Sequence, residues 1–357
     1  MRELFVLLCA LSCLLTACQT PQKPGTESSA IPDSLDQSPA AQIRSLNRQL
    51  EINPRDYTLY QQRSEQYYNS DSIEKALADA EMALSLFPNS PDLKYWKGFL
   101  AFTQNDSAEA MIQYREAIRL GTKDPEVYYQ MGQIFFLQKK YEAALASYQK
   151  AVELNDHEPL YWFAQGFLEE QRLQKPAAIK RYMRALELDS LHTKTLLQLY
   201  DLYLTGYENE EMATRYLDRL LRNQPLHPLG RYYSGTAHLR KALGLSRDTP
   251  RYREEVNEAV SDFTISVSRD PGFADAWYSR GYCYFMGENR LDEAIGDFRK
   301  VLEINPQYAQ AHFMLGSIFE YNKDLQTALF HYRKAVEYKP ESEDFALAVK
   351  ELEAQLK

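Results

Sequence analysis

Six histidines, four cysteines and several adjacent acids are the residues of this chain best equipped for catalysis or metal binding. Their spacing argues against both. His157, His192, His227, His238, His312 and His331 never stand three or four residues apart, the spacing that puts two imidazoles on one helix face, and no cysteine adjoins them as a zinc ligand would. A metal site would have to assemble from distant parts of the chain. Cys283, flanked by Tyr282 and Tyr284, reads as a small buried hydrophobe rather than a nucleophile. Glu169-Glu170, Glu210-Glu211 and Glu254-Glu255 are neighbours in sequence and so point to different helix faces, which does not suit a paired general acid and base. Neither a glycine-rich phosphate loop nor a Gly-x-Ser-x-Gly elbow occurs. The sequence therefore predicts no catalytic residue, no cofactor and no metal, and a protein that is not an enzyme.

Three of the cysteines, Cys9, Cys13 and Cys18, fall in the first 18 residues. Leu4 to Leu15 is an apolar run of signal-peptide length, too short to span a bilayer. The run closes with Leu15-Thr16-Ala17-Cys18, which resembles the lipobox of bacterial lipoproteins. That resemblance implies export, removal of residues 1–17 as a signal peptide, and acyl chains such as palmitate on Cys18. Several chains make a stable membrane anchor where one is marginal. Gln19 replaces the aspartate that retains lipoproteins at the inner membrane of enteric bacteria, so the expected location is the outer membrane of a bacterial cell envelope. An ordinary signal peptide with a coincidental cysteine is the alternative. Residues 18–37, rich in Pro, Ser, Thr and Gln, cannot bury enough apolar surface to offset chain entropy and read as a tether. A flexible coil of that length spans roughly 25 Å.

The net charge of −9 and the scattering of acids among bases exclude a concentrated basic face, so no nucleic-acid partner is expected. The 26 tyrosines and 16 phenylalanines are ample for a long buried core.

The elements that must position all of these residues recur along the chain. Ala309 to Pro340 reads as two amphipathic helices joined at Asn322 to Asp324, with Gly316, Ala328 and Ala335 where their axes would cross. The Gly316 slot is occupied further upstream by Gly281, Gly235, Tyr200, Gly166, Gly132, Gly98 and Ser64, and the Ala328 slot by Ala294, Ala259, Ala213, Ala178, Ala144, Ala110 and Ala76. From Ser64 to Tyr200 each step is 34 residues. Ala-x3-Phe/Tyr recurs in the second helices, as in Ala110/Tyr114, Ala178/Tyr182 and Ala328/Tyr332. This period and these marks resemble the tetratricopeptide repeat, which implies an all-α solenoid, a right-handed superhelix of helix-turn-helix units. Tyr200 in a glycine slot puts the helix crossing there in question.

The expected organisation is a capping helix over 38–54, eight repeats over 57–340, and a terminal capping helix over 341–357, with no second globular domain. Repeats begin at Tyr57, Pro91, Pro125, Pro159, Thr193, Pro228, Ala274 and Ala309. In the sixth, both helices are expected to lengthen over about 239–255, raising a basic elbow. Arg247, Arg251 and Arg253 on that elbow are candidates for a second docking patch, against the plainer reading of solubilised helix extension.

In this family the first helices line a concave groove through the second, fifth, ninth, twelfth and thirteenth positions of each repeat. Carried onto this chain, those positions nominate Tyr68, Tyr95, Phe99, Phe102, Tyr129, Phe136, Phe163, Phe167, Tyr232, Tyr278, Tyr282, Phe285 and Phe313 as a partner groove. Chaperone-adaptor members grip a terminal carboxylate with lysine at the fifth and asparagine at the ninth position, and neither occurs here, so an EEVD-type tail is not the expected ligand. An aromatic groove suits an apolar helix or extended peptide. The resulting expectation is a lipid-anchored scaffold or adaptor for protein or peptide partners in assembly of a cell-envelope complex. The alternative is a glycan- or peptidoglycan-binding lipoprotein, since aromatic rings also stack on sugars.

Overall fold

A computed structural model describes residues 38–287 and 290–356. The signal peptide, Cys18 and the tether expected upstream lie outside the described residues. Among those described there are 18 α-helices and no strand. A single helix, Pro39–Ile52 (α1), is followed by helix pairs: Tyr57–Asn69 (α2) with Ile73–Leu86 (α3), Pro91–Thr103 (α4) with Ser107–Arg119 (α5), and Pro125–Leu137 (α6) with Tyr141–Leu154 (α7). The next are Pro159–Gln171 (α8) with Lys175–Leu188 (α9), Thr193–Asp201 (α10) with Glu210–Asn223 (α11), and Pro228–Leu243 (α12) with Pro250–Arg269 (α13). Ala274–Gly287 (α14) pairs with Leu291–Ile304 (α15), Ala309–Tyr321 (α16) with Leu325–Tyr338 (α17), and Glu343–Gln355 (α18) ends the described chain.

Where the sequence reads one uninterrupted array, the structure divides into two compact units, one ending at Lys123 and the other beginning at Asp124. The division falls just after Gly121, which adopts a φ of 90°.

Within each unit the pairs are closed by one contact. The glycine of the first helix faces an aromatic ring of the second: Gly98 meets Tyr114 in the first unit, while in the second Gly132 meets Tyr148, Gly166 meets Tyr182, Gly235 meets Phe263, Gly281 meets Phe298 and Gly316 meets Tyr332. These rings are almost wholly buried. The departures from glycine follow the same size rule. In the first pair Ala80 stands where the ring would be, and Ser64 fits, donating to the Ala76 carbonyl at 2.5 Å and accepting from Trp96 Nε1 at 2.8 Å. In the fifth pair Leu217 replaces the ring, and Tyr200 packs against it and Ala213.

The fifth pair also resolves the question raised by Tyr200. α10 is only nine residues long and continues as a π-helical turn, Leu202–Gly206. Left-handed residues end the first helices at Asp71, Asn105, Lys139 and Leu173, 34 apart, but the next is Glu208, 35 further on. The π turn absorbs that one inserted residue without shifting the register of the pairs that follow.

α12 and α13 run to 16 and 20 residues, the lengthening expected in the sixth repeat. Their extra turns do not stand clear of the body. Tyr252 and Val256 are buried with Ala242 and Cys283, and the Tyr252 hydroxyl donates to the Met286 carbonyl at 3.1 Å. The extension roofs the end of α14.

Candidate functional site

The nominated groove residues sit on the first helices, and each unit carries its own set. In the first unit Tyr68, Tyr95, Phe99 and Phe102 are all half-buried. Tyr68 meets Phe99 edge to face at 5.3 Å, and Trp96, which the sequence reading passed over, stacks on Phe99 at 5.4 Å. In the second unit Tyr232, Tyr278, Tyr282, Phe285 and Phe313 are half-buried. Tyr129, Phe136, Phe163 and Phe167 are only 5–7% exposed, so these four brace the fold more than they present a surface.

The reason is a regular ring-on-ring contact. In six repeats the fifth-position aromatic rests on the ring that fills the glycine slot: Tyr95 on Tyr114, Tyr129 on Tyr148, Phe163 on Tyr182, Tyr232 on Phe263, Tyr278 on Phe298 and Phe313 on Tyr332, at 5.4 to 5.9 Å. A second rule joins successive repeats, the twelfth-position ring of one lying against the ninth-position ring of the next. Tyr68 against Phe99 and Phe136 against Phe167 at 5.5 Å both obey it. Offset and edge-on ring contacts of this kind add about 0.5–1.5 kcal/mol each beyond area burial.

Applied to α8 and α10, the same rule sets Glu170 near Asp201. Burial pushes both carboxyls above their ordinary range, and the charge of Asp201 adds to the rise at Glu170, although the Tyr182 hydroxyl donates to Glu170 at 2.8 Å and Gln198 at 3.1 Å. Glu126 is likewise raised, chiefly by burial, while accepting from the Tyr161 hydroxyl at 3.0 Å. Tyr308 donates to Asp275 at 2.7 Å, and burial with that carboxylate raises the phenol. These acids were legible as types at groove positions, but nothing in the sequence signals that tyrosines of neighbouring helices would seek them.

The residues with reactive chemistry have structural partners. Cys283 is 1% exposed, and burial pushes its thiol up to about 12, far from the thiolate a nucleophile needs. His227 caps the Gly230 amide at 3.1 Å, His238 meets Glu255 at 2.7 Å, and His192 meets the Thr195 hydroxyl at 2.7 Å. His157 lies beside Asp156 at the surface. His312 and His331 come together within the last pair. Among the described residues no group of three or more His, Cys, Asp or Glu could hold a metal ion, and no helix is long and apolar enough to cross a membrane.

On the elbow of α12 and α13, Arg247, Arg251 and Arg253 are exposed. Arg247 leans on the Met286 sulfur at 3.5 Å. Asp248 and Glu254 are exposed among them, so the charge there alternates in sign.

Tetratricopeptide-repeat family models match residues 64–125, 125–158, 251–309 and 285–343, together just over half of the chain. Tetratricopeptide repeat protein 6 of Homo sapiens is 32% identical over 90 residues, 25% of this chain and 17% of that protein. Hsp70-Hsp90 organizing protein 2 of Arabidopsis thaliana is 23% identical over 164 residues, 45% of this chain and 28% of that protein. The chain thus spans 17% to 28% of the length of these curated relatives. Among solved structures, the human IFIT1 dimer with m7Gppp-AAAA is similar at a TM-score of 0.55 and 16% identity, covering 89% of this chain and 77% of that one. PilF of Pseudomonas aeruginosa is similar at a TM-score of 0.53 and 17% identity, covering 65% and 98%. At these identities the likeness speaks for the fold.

Proposed function

Because the chain belongs to the tetratricopeptide-repeat family, we propose that it is a scaffold that binds protein or peptide partners along the first helices of its repeats, held to a bacterial envelope membrane through Cys18. The observation that carries the binding reading is the set of half-exposed rings Tyr68, Tyr95, Phe99 and Phe102 at groove positions. Their faces offer a partner apolar area at low entropic cost, since rings with two torsions are already pinned by their neighbours. Similarity to the Hsp70-Hsp90 organizing proteins does not extend to the residues that grip chaperone tails, because the fifth positions carry no lysine and the ninth no asparagine. The partner is therefore an apolar helix or extended segment rather than an acidic terminus, and the complex it serves belongs to the cell envelope.

The test places a photo-crosslinking residue at Phe102 in intact cells and repeats the capture with Tyr68→Ala plus Phe99→Ala. A discrete protein adduct that the double variant loses, with helicity unchanged, supports the reading; an adduct that persists counts against it. Binding to peptidoglycan or soluble oligosaccharides in place of protein would favour the glycan reading. Anchoring is tested apart from binding: Cys18→Ala should move the protein from the membrane to the soluble fraction, and continued sedimentation with membranes would remove the lipid anchor from the proposal.

A further inference from the structure

Two imidazoles face each other inside the last helix pair. His312 on α16 and His331 on α17 bring their Nδ1 atoms to 3.0 Å, with ring centroids 5.2 Å apart. At that distance one nitrogen must donate and the other accept. The other nitrogen of His312, Nε2, lies 3.3 Å from the Pro306 carbonyl, which can only accept. The hydrogen-bond pattern thus assigns the proton of His312 to Nε2 and that of the shared bond to His331 Nδ1. A proton added to His312 would set two N–H donors against each other.

The surroundings offer little relief. His331 lies parallel to Phe319 at 5.7 Å and edge-on to Phe330 at 5.2 Å, while His312 is 8% exposed and rests against Tyr338 at 5.7 Å. Arg299 faces His331 from α15, and Lys334 faces His312 from α17. Glu337 of α17 is the carboxylate whose charge reaches His312, and it is ion-paired with Lys334 at 2.8 Å. From α18, Glu353 is engaged by Arg333 at 2.6 Å.

This junction carries the terminal helix. Phe313, next to His312, stacks on Phe345 of α18 at 4.7 Å, and Phe345 packs with Ala309 of α16 and Ala335 of α17. Leu352 of α18 is buried against Leu329 and Tyr332 of α17. We propose that the His312–His331 pair is an acid-sensitive latch: neutral, it holds α16 against α17 and seats α18, and protonated, it drives the two helices apart and releases α18.

Burial, followed by the repulsion of the partner ring, lowers His331 from the ordinary 6.5 to about 4, and burial lowers His312 as well. The unfolded segment therefore binds protons that the folded one refuses. Stability from the pair is complete above about pH 6.5 and is lost as pH falls toward 4.

Hydrogen exchange of the full chain at pH 7 and pH 5, corrected for the intrinsic pH dependence of exchange, tests the latch. Amides of 343–355 should lose protection by on the order of tenfold at pH 5, while those of 141–154 should not. His331→Phe keeps a ring on Phe319 but cannot take a proton, and should reduce the pH dependence to what His312 alone contributes. Equal pH dependence in the variant, or none in the wild type, overturns the proposal. Should the variant fold poorly, the wild type decides alone by imidazole NMR titration: a His331 midpoint below 5 supports the latch, and one near 6.5 overturns it.

Discussion

Gly166 faces Tyr182 so closely that a methyl group on the glycine would stand 2.6 Å from the ring. Tyr182 is fully buried, with Phe163 packed against it, so it has little room to retreat. Gly166→Ala should therefore lower stability by about 1–3 kcal/mol through overpacking, although alanine is the better helix former. Gly296 supplies the control: it lies inside α15 with nothing within 4 Å of the missing Cβ. Gly296→Ala should raise stability by up to about 1 kcal/mol. Urea midpoints of the two variants check the opposite signs.

The same glycine slots explain how much of this protein could be read from its residues. A repeating size requirement leaves a periodic trace, so Gly98, Gly132 and Gly166 announce the helix pairs and the Ala-x3-Tyr partner at once. Even the exceptions are legible in retrospect, since Ser64 and Tyr200 replace glycine where Ala80 and Leu217 replace the ring. The candidate site was read less fully. Position within a repeat says which way Phe136 or Phe163 points, but not that the next repeat closes over it. The elbow near Arg247 reads as a free projection because its contact with Met286 and Gly287 joins residues more than 30 apart, with no period to mark it. The Glu170–Tyr182 bond and the His312–His331 pair, 12 and 19 residues apart, escape because residue type alone does not say which side chain of the facing helix each will meet.

Leu173 is held at φ 62° and is 79% exposed, so its side chain contributes little packing to offset a left-handed backbone. L-residues lose about 1–2 kcal/mol in that conformation, part of which glycine returns as unfolded-state entropy. Leu173→Gly should thus stabilise the fourth pair by up to about 1 kcal/mol, read as a higher denaturation midpoint. A lower midpoint would mean that Leu173 makes a contact that matters.

Arg280 grips Asp297 with two hydrogen bonds of 2.8 Å, and the carboxylate is nearly inaccessible. Removing the guanidinium leaves a buried charge without its partner, so Arg280→Ala should cost about 3–5 kcal/mol at pH 7. Burial already pushes the Asp297 carboxyl up against the pull of Arg280, and without Arg280 it rises further. The variant's deficit should accordingly shrink as pH falls and Asp297 takes up a proton. Asp297→Asn in the Arg280→Ala background should recover part of the loss at pH 7 and none at low pH. Thermal melts of the single and double variants across pH 4–8 measure this directly.

Glu170 tests whether a groove carboxylate is kept at the expense of stability. Burial is the largest influence on it and holds its carboxyl above the ordinary 4.5, with Asp201 adding to the rise; Tyr182, Gln198 and Lys175 oppose the shift without cancelling it. The folded state therefore takes up this proton more readily than the unfolded chain. Below pH 4.5 both states hold it and the site contributes fully; as pH rises from 4.5 through the folded value, the unfolded chain ionises first and stability falls. Glutamine at this position can still accept from the Tyr182 hydroxyl but carries no charge. Glu170→Gln should raise the melting temperature by a few degrees at pH 7, with the gain vanishing near pH 4. A loss at pH 7, or an equal gain at both, would show that the charge is well accommodated. If the gain appears, an ionisable residue that weakens its own fold stands at a groove position beside Phe167, and a partner's cationic group becomes the natural explanation for keeping it there.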